Sequence, residues 1–295
     1  MIRSKGFGSR LFDILNHIIL AILALSCLYP LWYTFCVSVS AKEATSAGLV
    51  TIWPIGWNLL NYGEIMRDSA FFNSAWISVQ RVVLGTTFTL VVITMLGYAL
   101  SRKKNQFGAR NVFMWMVIFC MVFSGGTIPW FIFMRYYGMI DNIWGLVLCG
   151  SLPMFNVILV MNFFRNLSSD IEEAAIVDGA GPWRILWQIV VPCSMPVLAT
   201  VTLFVSVGYW NEFFQGLVLS NTEAHYPLQT YIKQLVVNIP QGSSLTREEL
   251  IRLTQLSNRS LNAAKVFITM IPMLLVYPFL QKYFVNGIML GAVKE

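Results

Sequence analysis

Charge is what this sequence has least of. Asp, Glu, Lys and Arg make up 12% of its 295 residues, about half the roughly 25% of an average soluble domain. The same chain is 57% hydrophobic, with a mean hydropathy of +0.65. So few charges cannot cover a water-soluble surface of this size, and they suit a polytopic membrane protein. Histidine is nearly missing: His17 and His225 stand far apart, so a His/Cys metal centre has nothing to be built from. The five cysteines, Cys27, Cys36, Cys120, Cys149 and Cys193, fall in or beside apolar runs. No pair has C-x-x-C spacing, so they read as small packing residues. There is no G-x-x-x-x-G-K-[ST] loop to cradle nucleotide phosphates and no H-E-x-x-H helix to hold a catalytic zinc. An enzyme is therefore not expected, and neither a metal nor a cofactor is expected on this chain. Neither a tandem repeat nor a low-complexity tract is visible, and the chain 1–295 reads as one membrane domain. No cleavable signal is apparent, because the first apolar run is about 25 residues long, too long for a signal core.

What the chain has is membrane-length hydrophobicity. Six apolar segments can be drawn, at about 14–39, 75–100, 111–134, 143–163, 195–219 and 264–285, each near the roughly 20 residues a bilayer demands. The expected fold is all-α, a bundle of six transmembrane helices. Aromatic residues reach 14%, as interfacial belts require. The net charge of +6 sits mainly beside spans, where anionic lipid attracts it. No compact basic domain remains for nucleic acid once the spans are removed. Arg3, Lys5 and Arg10 precede the first span, and Arg102, Lys103, Lys104 and Arg110 follow the second. Only Arg135 lies between the third and fourth. The positive-inside rule makes the first two regions cytoplasmic and the last external, so both termini face the cytoplasm. Arg81, near the outer end of the second span, is expected to snorkel.

Two segments interrupt the pattern. The external stretch 220–263 is long, and Leu228, Tyr231, Ile232, Leu235, Val236 and Ile239 recur at helical spacing. After a break at Pro240-Gln241-Gly242, Leu250, Leu253 and Leu256 repeat it. A loop of this length is functional more often than idle, so a docking or substrate-reaching loop is expected. The cytoplasmic stretch 168–192 is polar and punctuated. Ser169 and Glu172 have the spacing of a capping box, and Asp170, Glu172 and Glu173 sit where a helix dipole favours acids. A helix over about 170–178 is predicted to expose Ala174 and Ala175. Gly179-Ala180-Gly181 then permits a bend, and Pro182 suits the first turn of a second helix. That helix would carry Trp183, Leu186, Ile189 and Val190 on one stripe and close at Pro192. Asp178 stands at the carboxyl end, where an acid is disfavoured, which suggests a partner for it.

The stretch "EEAAIVDGAGPWRILWQIVVP" resembles the signature of permease subunits in binding-protein-dependent ABC importers, E-A-A-x3-G-x9-I-x-L-P. Glu173, Ala174, Ala175, Gly179, Ile189 and Pro192 occupy signature positions, and Val191 replaces the usual leucine. "ALSRKK", "FSGGTIPWFIF", "NFFRNL", "YPLQ" and the tail "FVNGIMLGAVKE" resemble carbohydrate-uptake permeases, the tail being similar to that of a maltose-transporter permease and others to permeases for oligosaccharides from complex polysaccharides. The resemblance implies a bacterial inner-membrane permease that imports an oligosaccharide. It implies that the 172–192 helix pair docks on a separate ATPase, with Asp178 and Gly181 beside the signature residues. Its implied partners are a second, related permease, two ATPase subunits that carry ATP and magnesium, and an extracytoplasmic sugar-binding protein. It also implies that the tail, at Gly291, Lys294 and Glu295, reaches the ATPase.

An acid inside a span is costly, about 2.5–3.5 kcal/mol on insertion scales, and is functional by default. Glu212 is such an acid. Gly208, Glu212, Gln215 and Gly216 would share one helical face, with Trp210 and Asn211 beside them and Asn156 and Asn162 on the preceding span. These residues are candidates for a translocation path, against the alternative of hydrogen bonds between helices. An acid on the path would also argue against an anionic sugar passing close by. A permease for a peptide or chelate, or an ion-coupled secondary transporter, are the competing functions. The second would need paired broken helices and several midplane charges, of which only Glu212 is present.

Overall fold

Inside hydrocarbon a backbone can satisfy its own peptide groups only in a helix or a closed barrel, and helices are what these apolar runs form. The computed structural model describes residues 7–150, 152–237 and 259–292. Among them there is no strand. The elements are α1 (Phe7–Ser38), α2 (Lys42–Ser46), α3 (Leu60–Ile65), α4 (Ser69–Ser101), α5 (Arg110–Val122), α6 (Thr127–Tyr136), α7 (Ile143–Leu148), α8 (Met154–Arg165), α9 (Ser169–Val177), α10 (Pro182–Ile185), α11 (Val191–Cys193), α12 (Met195–Asn211), α13 (Phe214–Leu219), α14 (Leu228–Val237) and α15 (Arg259–Ala292). A π-helical turn, Leu186–Val190, joins α10 to α11, and a 3₁₀ turn, Glu223–His225, precedes α14.

The expected spans differ in how continuous they are. Among the described residues, three helices are long and apolar enough to cross a membrane: Gly8–Ser38, Ser69–Ser101 and Arg259–Val276. The third expected span is broken, α5 and α6 meeting at 114° across Phe123-Ser124-Gly125-Gly126, where Gly126 has φ +84° and only glycine fits at low cost. The fourth is split into α7 and α8 by the segment that ends at Pro153, the residue before α8; a proline there supplies no backbone donor. The fifth stops at Asn211 and resumes at Phe214. Counting the bent pairs α5–α6 and α10–α12 as one span each raises the number of candidate spans among the described residues to five. The helix predicted in the external segment is present from Leu228, with Leu228, Tyr231 and Ile232 buried. Its later apolar positions, Ile239, Leu250, Leu253 and Leu256, lie outside the described residues, as do Lys294 and Glu295 of the tail.

The chain folds as two compact units, Met1–Ser69 with Gln234–Ile271, and Ala70–Lys233 with Pro272–Glu295. In the first, α1 keeps its long apolar stretch exposed, as a helix facing lipid does. Its carboxyl end is tied down instead. Asn61 donates to the Ser38 carbonyl at 2.9 Å, Trp32 to the Ile52 carbonyl at 2.7 Å, and Ser38 shares a 2.8 Å hydrogen bond with Tyr62. Lys265 on α15 pairs with Asp68 at 2.6 Å, and Phe267 packs on Phe35.

In the second unit the core joins α4, α5, α8, α9, α10 and α12 through Ile93, Leu100, Val117, Val157, Val160, Phe164, Ala175, Leu186, Val201 and Tyr209. Lipid tails are as apolar as these side chains, so close contact rather than water exclusion holds them. Small residues permit the contact. A Cβ on Gly97 would lie 3.0 Å from Val160 Cγ1, and one on Gly85 or Gly150 would lie 2.6 Å from the Tyr209 ring.

The tightest approach is at Gly145 of α7, where a Cβ would stand 2.1 Å from the Met139 carbonyl oxygen. Gly145→Ala is expected to cost about 1–3 kcal/mol, as overpacking does, seen as a lower thermal midpoint of the detergent-solubilised protein. Gly63→Ala, whose Cβ meets nothing within 4 Å, should leave the midpoint unchanged or raise it slightly. Equal midpoints for parent and Gly145→Ala would contradict this packing.

Candidate functional site

Two constellations stand out, one beyond the last turn of α4 and one twelve residues into it, both in the second unit. The first is the punctuated helix pair. α9 is capped by Ser168, whose hydroxyl accepts from the Asp170 amide at 3.3 Å. The capping box expected from Ser169 and Glu172 does not form, because Glu172 is engaged elsewhere. Its two carboxylate oxygens take both terminal nitrogens of Arg102, one of them at 2.8 Å. Arg102 also lies over the Tyr98 ring, its Cζ 4.2 Å from the centroid. Burial works against the Arg102 charge, but the hydrogen bond and charge of Glu172 more than offset it and hold the guanidinium pKa above its ordinary value.

The end of α9 is fixed by backbone chemistry. Gly179 adopts φ +78°. Its amide donates to the Ile176 carbonyl at 3.0 Å, and the Ala180 amide to the Ala175 carbonyl at 2.9 Å. These are the two bonds of a Schellman motif, and the side chains of Ala175 and Ala180 supply its apolar contact against the core. Gly181 then precedes α10, with Pro182 in the first turn. The bend between the α10–α11 segment and α12 is 83°, and it falls at Ser194 (φ −107°) rather than at Pro192, which lies within α11.

The two faces of α9 divide the expected residues. Glu173, Ala174, Ile176, Val177 and Asp178 are exposed, Val177 at 87%. Ala175 is not: it is buried against the core, on the same face as the half-buried Glu172 three residues before it. The stripe expected on the second helix is shifted as well. Ile185, Leu186 and Val190 are buried, Ile189 is half-buried, and Trp183 is 63% exposed, since the π turn adds a residue to the repeat. The Asp178 carboxylate makes no hydrogen bond or ion pair among the described residues.

The second constellation is built where three helices end. α7 stops at Leu148 and leaves its last carbonyls without helical partners. Arg81 Nε donates to Leu146 O at 3.1 Å, Tyr209 Oη to Val147 O at 2.8 Å, and Gln215 Nε2 to Cys149 O at 3.2 Å. Arg81 also donates to the Glu212 backbone carbonyl at 3.1 Å, just past the end of α12. Its remaining contacts are the Glu212 carboxylate at 3.0 Å and the Gln215 side-chain oxygen. The Glu212 carboxylate in turn accepts from the Gln215 amide at 2.9 Å, capping the start of α13 where a negative charge is favoured.

Arg81 therefore does not snorkel. It is 1% exposed, because carbonyls, an amide oxygen and a carboxylate satisfy it inside. Glu212 does not continue a helical face with Gly208 and Gly216 either: its extended backbone, φ −75° and ψ 120°, interrupts the helix. Its side chain is 26% exposed against 1% for Arg81, so the carboxylate lies between the arginine and an adjoining cavity. That cavity measures about 440 Å³ and is lined by Arg81 and Thr89 of α4, by Gly150, Pro153, Phe155 and Asn156, and by Phe204, Val205, Gly208, Tyr209, Glu212 and Gln215. The structure thus brings together Glu212, Gln215 and Asn156 of the expected path. Trp210 is buried and Asn211 exposed, and neither lines the cavity; nor does Asn162. Sequence reasoning missed Arg81 and Tyr209 as lining residues. A charge twelve residues into a 33-residue apolar helix was the available signal for Arg81.

Hydrogen bonds also assign the ends of this unit. Around the start of α4, Asn73 donates to the Ala224 carbonyl at 2.7 Å, and Ser78 accepts from the Leu228 amide at 2.7 Å. Asp141 joins the same end, accepting from the Asn221 amide and side chain, both at 2.8 Å, and meeting His225 at 3.2 Å. The Asn221 amide foremost, with His225 assisting, lowers the Asp141 pKa. The 220–228 segment therefore adjoins the first turns of α4, and α9 adjoins its last.

The comparisons with known proteins agree with this geometry. Residues 72–290 match the family of the binding-protein-dependent transport system inner membrane component. The chain is 33% identical over 286 residues to the polygalacturonan/rhamnogalacturonan transport system permease protein YtcP of Bacillus subtilis, covering 97% of this chain and 99% of that one. It is 33% identical to protein LplC of the same organism over 287 residues, covering 97% and 96%. A crystal structure of a bacterial ABC transporter involved in the import of the acidic polysaccharide alginate contains a chain that superposes with a TM-score of 0.86 at 34% identity, covering 95% of this chain and 99% of that one. Signature, fold and similarity converge: the chain belongs to the inner membrane components of binding-protein-dependent transport systems.

Proposed function

We propose that this chain is one of two related permease subunits of an ATP-driven importer, which carries an oligosaccharide into a bacterial cytoplasm. An extracytoplasmic binding protein delivers the sugar, and two copies of a separate ATPase hold ATP and magnesium below. The observation that carries the reading is the two-faced helix α9. Its Ala175 is anchored in the unit's core, while Glu173, Ala174 and Asp178 stand exposed beside an apolar tip, Ile176 and Val177, at 56% and 87%. An exposed apolar tip rimmed by acids is a docking feature, and a Schellman turn holds it in place. Asp178, at the wrong end of its own helix dipole, is matched by a basic partner surface. Gly179, Gly181, Ile189 and Pro192 shape the turn and return the chain to the spans.

The positive-inside rule places α9 and the basic 102–110 segment on the cytoplasmic side. The Arg102–Glu172 pair agrees, since it joins these two regions. Both termini are then cytoplasmic, and the tail with Gly291, Lys294 and Glu295 is read as an ATPase contact from its resemblance to the tail of a maltose-transporter permease. The 220–228 segment is external, where the binding protein docks.

The substrate reading rests on relatives named for polygalacturonan/rhamnogalacturonan and for alginate. The cavity suits a saccharide on the translocation path: Tyr209, Phe204 and Phe155 offer ring surfaces, with Asn156, Gln215 and Glu212 among them. Glu212 does not bar an acidic sugar as an unpaired acid would, because Arg81 cancels its charge.

In proteoliposomes holding the two permeases, the ATPase and the loaded binding protein, Glu173→Lys or Gly179→Pro should lower sugar uptake per ATP roughly tenfold, a loss typical of broken coupling. The spans should remain folded. Uptake equal to the parent in both variants refutes the docking role, and isolation of a stable monomer with ion-driven uptake overturns the importer. For the cavity, Arg81→Met leaves Glu212 without its counter-ion and is expected to destabilise the protein by about 2–4 kcal/mol, as broken buried pairs do. Arg81→Met with Glu212→Leu should lose less. A double variant no more stable than the single one contradicts the pairing.

A further inference from the structure

Arg81, twelve residues into α4, and Arg102, the residue that follows its last turn, each pair with a glutamate. Arg81 holds Glu212 and the freed carbonyls of α7 and α12 beside the cavity. Arg102 holds Glu172 of the docking helix. Between the two arginines lies about 31 Å of helix at 1.5 Å per residue, close to the roughly 30 Å of a bilayer's hydrocarbon. α4 has no proline and runs unbroken from Ser69 to Ser101, whereas the third, fourth and fifth expected spans are interrupted.

The Arg102 end is built for rigidity. The pair is two-pronged, its side chains are 19% and 17% exposed, and Tyr98 supports the guanidinium from one face. Arg102 Nε is buried without a hydrogen-bond partner, so the arginine is held by its fork and by stacking, not by the backbone around it. Arg110 adds a bond across the same turn, donating to the Leu100 carbonyl at 2.9 Å. A planar fork transmits direction as well as distance, which a lysine point charge does not.

We propose that α4 is the rod that carries movement of the docking helix to the cavity, and that Arg102 and Glu172 are the positioning residues that fasten the rod to the helix. When a partner draws α9 along the membrane, the Arg102–Glu172 fork pulls the adjoining end of α4. The rest of the rod takes Arg81 and Thr89 with it, and with Arg81 the ends of α7 and α12. The cavity wall thereby shifts without any contact between ATPase and cavity. The inference rests on the docking role of α9, and its test separates the two.

The readout is the labelling rate of a cysteine at Phe204, a cavity residue that is 41% exposed, by a membrane-impermeant maleimide. The exposed Cys27, Cys120 and Cys193 are first replaced by alanine. The whole transporter in proteoliposomes is compared with and without ATP plus vanadate, so no sugar need be known. The parent should change its labelling rate on nucleotide trapping. Glu172→Gln should reduce that change roughly tenfold, the scale of a lost coupling, with the ATPase still co-purifying and trapping nucleotide. Arg102→Lys, which keeps the charge but loses the fork, should fall between the two. The exchanged pair Arg102→Glu with Glu172→Arg should recover most of the response, which a merely structural residue would not predict. A full response in Glu172→Gln and Arg102→Lys, in a background where Glu173→Lys abolishes it, overturns the rod and leaves the docking role standing. No response in the parent overturns the docking role and the rod together. An exchanged pair no better than Glu172→Gln also overturns the rod.

Discussion

Peptide groups in a hydrocarbon layer must find partners within the protein, and the second unit is organised around the places where its helices break that supply. α7 is only six residues long, and α12 stops one residue before Glu212. Each break leaves carbonyls that no water can reach at low cost. Arg81, Tyr209 and Gln215 take them up, and Glu212 serves both as counter-ion to Arg81 and as cap to α13. The cavity is the space beside this repair. Its polar character follows from the broken helices, because the groups that mend the breaks are the groups that line it.

The same economy governs α9. α9 is nine residues long, too short to be stable alone in water. Ser168 caps its start, a Schellman turn closes its end, Ala175 seats it in the core and Glu172 fastens it to Arg102. With four attachments on one side, the other side is free to present acids and small residues. An element held in this way moves with the unit to which it is attached, as the role proposed for α9 requires.

Much of this was legible in the sequence where local chemistry decides. The long spans α1, α4 and α15 announce themselves by hydropathy, and α9 by its alanines, Gly179 and Pro182. Readings failed where one residue had two competing partners. Ser169 and Glu172 have capping-box spacing, but an arginine seventy residues away offers Glu172 two charge-assisted bonds, which outweigh one backbone amide. Arg81 reads as a snorkelling charge until the acid that neutralises it, 131 residues on, is brought beside it. Glu212 reads as a member of a helical face because nothing local signals that the helix ends there.

By itself the sequence determined that the chain is a helical membrane protein, which end of its spans is basic, and where a bent, acid-tipped helix pair leaves the membrane. These follow from composition, period and turn chemistry, all local quantities. Only the tertiary structure decided which spans are broken, which face of α9 is presented, and that Arg81 within α4 and Arg102 just after it each hold a distant glutamate. Those outcomes depend on unpaired groups far apart in the chain finding one another, which no local pattern encodes.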